Sequence, residues 1–197
     1  MGDATSRFLR VALVAAAVAA WPAGAGALIP VLSPADIQEA EEAGFQGMAQ
    51  EDFGEEWRIG LPEGGEIVVT TPFSRLAHAA RRAALKGEPL TDDERQEQLD
   101  RGKNVLQLMV IMHGRTPDFP RWYEPVLRVG DREVKATFRQ NERTPLRLED
   151  GRFRARNIYV FPLEGLPPRG TVTLVVQHAI EKKREVLRAP IDLSRMR

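Results

Sequence analysis

Apolar and polar residues alternate with a period of two over most of the chain beyond residue 102, and with a helical period in the stretch before it. Residues 104–113 read NVLQLMVIMH, which puts Leu106, Leu108, Val110 and Met112 on one strand face. The opposite face, Val105, Met109 and Ile111, is apolar too, interrupted by Gln107. A strand apolar on both faces is central and covered on both sides. Shorter alternating runs follow at regular spacing. EPVLRV joins REVKATF through Gly130-Asp131, and in the second run Val134, Ala136 and Phe138 share a face. LRLE turns at Asp150-Gly151 into RFRARNIYVF, the strongest hairpin signal in the chain because both turn positions tolerate positive φ. Pro167-Pro168-Arg169-Gly170 leads into TVTLVVQH, and REVLRAPIDL closes the series with Leu187, Ala189, Ile191 and Leu193 on one side. Seven or eight short alternating strands with frequent turns predict a mainly β protein, an antiparallel sandwich of immunoglobulin-like architecture.

Before residue 102 the pattern changes. A strand over residues 66–71 (EIVVTT) ends at Thr71-Pro72, where PFSRLAHAARRAALKG begins with Phe73, Leu76, Ala77, Ala80, Ala84 and Leu85 at helical spacing and Gly87 as the stop. A second helix starts after Thr91, which has capping-box spacing to Glu94, and runs to about Arg101. Residues 72–102 are thus a two-helix insertion, and they are the natural cover for the outer face of the central strand. The first helix is basic (Arg75, Arg81, Arg82, Lys86) and the second acidic, which predicts that the two lie side by side as a charge-matched hairpin rather than on a membrane surface. Upstream, Ser33 and Pro34 open a short N-terminal helix whose apolar stripe, Ile37, Ala40, Phe45 and Met48, is broken by Gly44 and Gly47.

The first residues add a location. Arg7 and Arg10 precede the apolar run VALVAAAVAAW and then PAGAGA, the order of a secretory signal peptide. The run is shorter than a bilayer span and Pro22 ends it. Ala23-Gly24-Ala25 and Ala25-Gly26-Ala27 both fit the cleavage pattern, and the second divides the chain into a signal peptide (1–27), an N-terminal helix and linker (28–55) and a sandwich domain (56–197). An exported chain is expected, periplasmic or extracellular in a bacterium, with no transmembrane span after signal removal. Cysteine is absent, so lipoprotein anchoring, disulfides and thiol chemistry are excluded.

Composition removes further classes. Lys plus Arg (28) equals Asp plus Glu (28), leaving no global field to draw nucleic acid. Ser33, Ser74 and Ser194 are the serines beyond the signal, and none sits in a nucleophile-elbow or S-x-x-K pattern. No phosphate-cradling loop occurs. His113 and His178 end two strands and Met109 and Met112 lie nearby, but Met112 and His113 point to opposite faces, so no metal site and no cofactor are expected. Enzymatic activity is not expected.

One loop stands out. GRTPDFPRWYEP, residues 114–125, carries three aromatics in a Pro- and Gly-rich connector. Either Phe119 and Trp122 plug the end of the sandwich, or Arg115, Phe119, Arg121, Trp122 and Tyr123 form a binding patch of the residue types enriched at interaction hot spots. Phe119 is expected in the plug and Tyr123 in the patch, with Trp122 equally suited to either. The functional expectation is a non-enzymatic interaction module of the cell envelope that binds an envelope or secreted protein. The alternatives are a small-ligand or metal carrier, with a pocket between the helices and the sheet, and an exported hydrolase.

Overall fold

The computed structural model describes residues 27–181 and 184–197, so the expected signal peptide lies outside the described residues but for Ala27. The alternating runs form strands β1 (Arg58–Gly60), β2 (Glu66–Thr70), β3 (Val105–Gly114), β4 (Tyr123–Val129), β5 (Arg132–Lys135), β6 (Phe138–Gln140), β7 (Leu146–Arg147), β8 (Phe153–Pro162), β9 (Thr171–His178) and β10 (Arg184–Asp192). Helices α1 (Pro34–Gln46), α2 (Pro72–Leu85) and α3 (Asp92–Gly102) precede β3. All ladders are antiparallel. One sheet runs β1-β2-β3-β8-β6, with β7 also on β8, and the other β10-β9-β4-β5. With the short β1 and β7 set aside, the eight main strands taken in chain order as A, B, C, C′, D, E, F and G give A-B-E-D facing G-F-C-C′. This is the immunoglobulin-like sandwich.

The core lies where the inward faces meet. Ile67, Val69, Leu106, Leu108, Val110, Tyr159 and Phe161 of the first sheet pack with Leu127, Val172, Leu174, Val176, Ala189 and Ile191 of the second. Every second residue of β3 is buried, as its alternation requires.

The helices form as their caps dictate. Ser33, Thr71 and Thr91 each accept the backbone N–H three residues on, and Asp36, Ser74 and Glu94 answer to the cap backbone. Their placement departs from expectation in three ways. First, Gly44 does not break α1. It is buried at the crossing with α2, where a Cβ would run into the Ala77 carbonyl oxygen and the Ala80 methyl group. Glycine lets the two backbones touch, while Phe45 and Met48 of the expected apolar stripe face solvent. Second, the ion pair that ties α3 into the cluster runs from Arg95 to Glu41 on α1, not to basic α2. Third, the helices do not seal the outer face of β3. Val105, Gln107, Met109 and Ile111 stay half-buried, and α2 reaches this face through Arg75, whose Nη2 donates to Gln107 Oε1 at 3.2 Å.

REVKATF is not one strand either. The chain leaves the second sheet after Lys135 and enters the first at Phe138, so Phe138 is separated from Val134 and Ala136 and is exposed. The helices start where β2 ends, beside the start of β3. The residue 114–125 loop follows the end of β3, about 33 Å away at 3.3 Å per residue. The sandwich therefore has a helical end and a loop end.

Candidate functional site

The loop end is built on the link between β3 and β4. Successive turns shape it: Phe119 N–H donates to the Thr116 carbonyl (3.4 Å), Arg121 N–H to Asp118 (3.0 Å) and Tyr123 N–H to Pro120 (3.1 Å). Phe119 lies over Gly114, where a Cβ would occupy its ring, and packs edge-to-face on Tyr123 with centroids 6.0 Å apart. Phe119 is partly buried against the core, which places it in the plug. Tyr123, assigned to the patch by sequence, is only 7% exposed and stacks edgewise on His178 of β9. The reason is register. As the first residue of β4 it takes the inward phase that Pro125 and Leu127 continue. Burial first, and the Glu181 carboxylate after it, push its phenol above the usual range, against a lowering by Arg184.

Trp122 takes the opposite phase. It is 44% exposed, and the Arg121 guanidinium sits 5.0 Å from its ring centroid. Its own carbonyl accepts the Ala179 N–H at 2.8 Å, so the β9–β10 turn braces the indole's backbone from behind. Arg115 is exposed further out on the loop.

Opposite Trp122 stands a segment that the strand pattern concealed. β6 and the residues after it come up beside the start of β4, where β5 no longer pairs with it. Asn141 Nδ2 donates to the Tyr123 carbonyl (2.9 Å), and Arg139 Nη1 reaches the same oxygen (3.3 Å) and Glu124 Oε1 (3.3 Å). Asn141 Oδ1 accepts the Tyr159 hydroxyl at 3.1 Å. Burial raises the Tyr159 pKa far above the ordinary phenol value, so the hydroxyl keeps the proton it donates. Below it, fully buried Asn157 accepts the Glu142 N–H (3.1 Å) and donates to the Val110 carbonyl (3.4 Å). Asn141 and Arg139 lace the first sheet to β4 of the second, and Asn157 ties the segment after β6 to β3, so the buried Asn157 amide and Tyr159 hydroxyl are both partnered.

Between the lacing and the loop runs a groove of about 820 Å³, lined by Arg121, Trp122, Phe138, Arg139, Asn141 and Arg143, with Asp118, Gln140 and Glu142 completing it. Phe138 is 50% exposed. Two of the sequence-derived residues, Arg121 and Trp122, thus face the groove; Phe119 and Tyr123 support its floor, and Arg115 lies outside its lining. Sequence reading missed Phe138, Arg139, Asn141 and Arg143. The available signal was Asn157, a polar residue in the inward phase of β8 between Ala155 and Tyr159, which had to find polar partners of its own.

The other expected chemistries lack such geometry. His78 lies edge-on to Phe53 and Trp57 (5.2 Å each) in the helical end. His113 stands opposite Arg154 in the first sheet, and His178 opposite Tyr123 in the second. No group of three or more His, Cys, Asp or Glu side chains able to hold a metal occurs among the described residues. Cavities of about 380 and 560 Å³ lie between α2 and α3 and along α1 and α2, between helices rather than between helices and sheet. No helix among the described residues is long and apolar enough to cross a membrane.

No family model matches the chain. No curated protein matches it. Among solved structures, it is similar to the C1 domain of the IgNAR antibody, at 12% identity and a TM-score of 0.34 over 68% of this chain and 97% of that one. It is also similar to a protein of unknown function from Burkholderia pseudomallei, at 13% identity and a TM-score of 0.38 over 83% of this chain and 91% of that one.

Proposed function

We propose that the chain is an exported, non-enzymatic interaction module that holds a protein partner in the groove at its loop end. The observation that carries this reading is the pairing of two large exposed aromatics, Trp122 and Phe138, across one groove. Large apolar side chains standing in solvent over a well-packed sandwich are costly to solubility and are the usual anchors of protein recognition. Arg121, held over the Trp122 face, is already oriented, so little side-chain freedom is lost when a partner docks. Export rests on the signal-like first residues, and the cell envelope as workplace follows from it.

The test is capture from the native compartment with Trp122→Ala and Arg121→Ala combined. Capture of a defined partner by the wild type, lost in the double variant at unchanged melting temperature, supports the reading. Capture that survives the double variant removes the groove from the account.

A further inference from the structure

The two ends of the molecule are charged oppositely, although the whole chain is neutral. Residues 33–57 contain eight acidic side chains and no basic one. Asp36, Glu39 and Glu41 are paired with Arg197 or Arg95, which leaves Glu42, Glu51, Asp52, Glu55 and Glu56 at the surface. Among them stand Phe45, 63% exposed, and Met48, partly exposed. Glu42 and Phe45 are one helical turn apart and share a face of α1. At the loop end the balance reverses. Residues 138–156 carry six arginines against three acids, and Arg121 joins them across the groove.

Resting on the reading of the groove as a protein-binding site, we infer that its occupant is the α1 end of a second copy of this chain. Phe45 of one copy enters the groove between Trp122 and Phe138 of the next, and Glu42 and its acidic neighbours meet Arg121 and Arg143. Both surfaces are apolar at the centre and charged at the rim, with opposite signs, which is the complementarity that sets register and excludes like ends. The surfaces lie at opposite ends of the sandwich, so a chain does not satisfy its own groove. The contact is heterologous: each copy keeps one free groove and one free α1 face, and assembly continues head to tail instead of stopping at a dimer.

The test uses two variants of the purified protein, each removing one surface without touching the core: Trp122→Ala with Arg143→Glu in the groove, and Phe45→Ser with Glu42→Lys on α1. In sedimentation equilibrium at low salt, the wild-type mass rises with concentration from the micromolar to the millimolar range, and the rise is suppressed in molar salt. Each variant alone stays monomeric. An equimolar mixture of the two forms a dimer and no larger species, because only one productive interface is left. A wild type that is monomeric at every concentration overturns self-assembly but not the groove as a site for another protein, which the capture experiment tests separately. A wild type that stops at a closed dimer, or a mixture that stays monomeric, overturns the head-to-tail contact.

Discussion

The two ends of the sandwich close the same core by different physics. The helical end closes it by contact: α1 meets α2 backbone to backbone at Gly44, and Phe53 and Trp57 pack edge-on to each other and to His78 of α2. The loop end closes it with one apolar plug, Phe119 on Tyr123, and otherwise with hydrogen bonds through Asn141, Tyr159 and Asn157, and leaves an open groove above them. Close packing tolerates almost no change of volume, whereas a polar lacing holds loops in place without filling the space over them.

The contrast can be broken most severely at Gly44. Gly44→Val drives its side chain into the Ala77 carbonyl and should cost about 3 kcal/mol or more, as overpacking does. Urea denaturation reads this as a lower midpoint at unchanged slope; a loss below about 1 kcal/mol would mean the helices are not backbone-locked. The lacing comes next. Asn157→Ala strands the Glu142 N–H, removes a second bond to the Val110 carbonyl and opens a small cavity, and should cost about 2 kcal/mol, while Tyr159→Phe removes one hydrogen bond for about 1 kcal/mol. Hydrogen exchange should then quicken across residues 138–143 and not in α1 or α2.

How much of this was legible in sequence follows the same division. The Ser33 cap and the Thr91–Glu94 box were readable because each is closed within four residues; the Thr71–Ser74 box is closed as locally, but the strand ending at Thr71 masked it. The β3 faces were readable from their alternation, and the hairpin at Asp150-Gly151 from its turn residues, although of the two only Gly151 takes a positive φ. Gly44 was misread because a glycine that interrupts an apolar stripe looks like a breaker until the crossing helix is known. Tyr123 and Trp122 differ by one residue, and only the register of β4 decides which faces in. Phe138 was grouped on one strand face with Val134 and Ala136 because the alternation of REVKATF carries no mark of the point where the chain changes sheets. The groove is made by two segments 16 or more residues apart, so its existence depends on topology that periodicity does not encode.

Smaller effects separate the ends by pH. Burial, and then the positive charges of Arg82, Arg81 and Arg58, depress the His78 pKa below its ordinary 6.5. The unfolded chain therefore binds this proton more readily than the folded one. The stability attached to neutral His78 is complete above pH 6.5 and is lost as pH falls from there through the lowered folded value. Melting temperatures taken from pH 8 to pH 5 should decline for the wild type, and His78→Phe should flatten that part of the curve. An unchanged slope in the variant would place the pH sensitivity elsewhere.

The smallest expected effect on stability is at the groove itself, and it is the most telling. Trp122→Ala combined with Arg121→Ala should leave the melting temperature within about 2 °C of the wild type, since neither side chain closes the core. If the loop end is an open site over a laced floor, the same variant loses its partner. A fall of several degrees with the partner still bound would instead make Trp122 part of the plug beside Phe119, and the groove would not be the binding site.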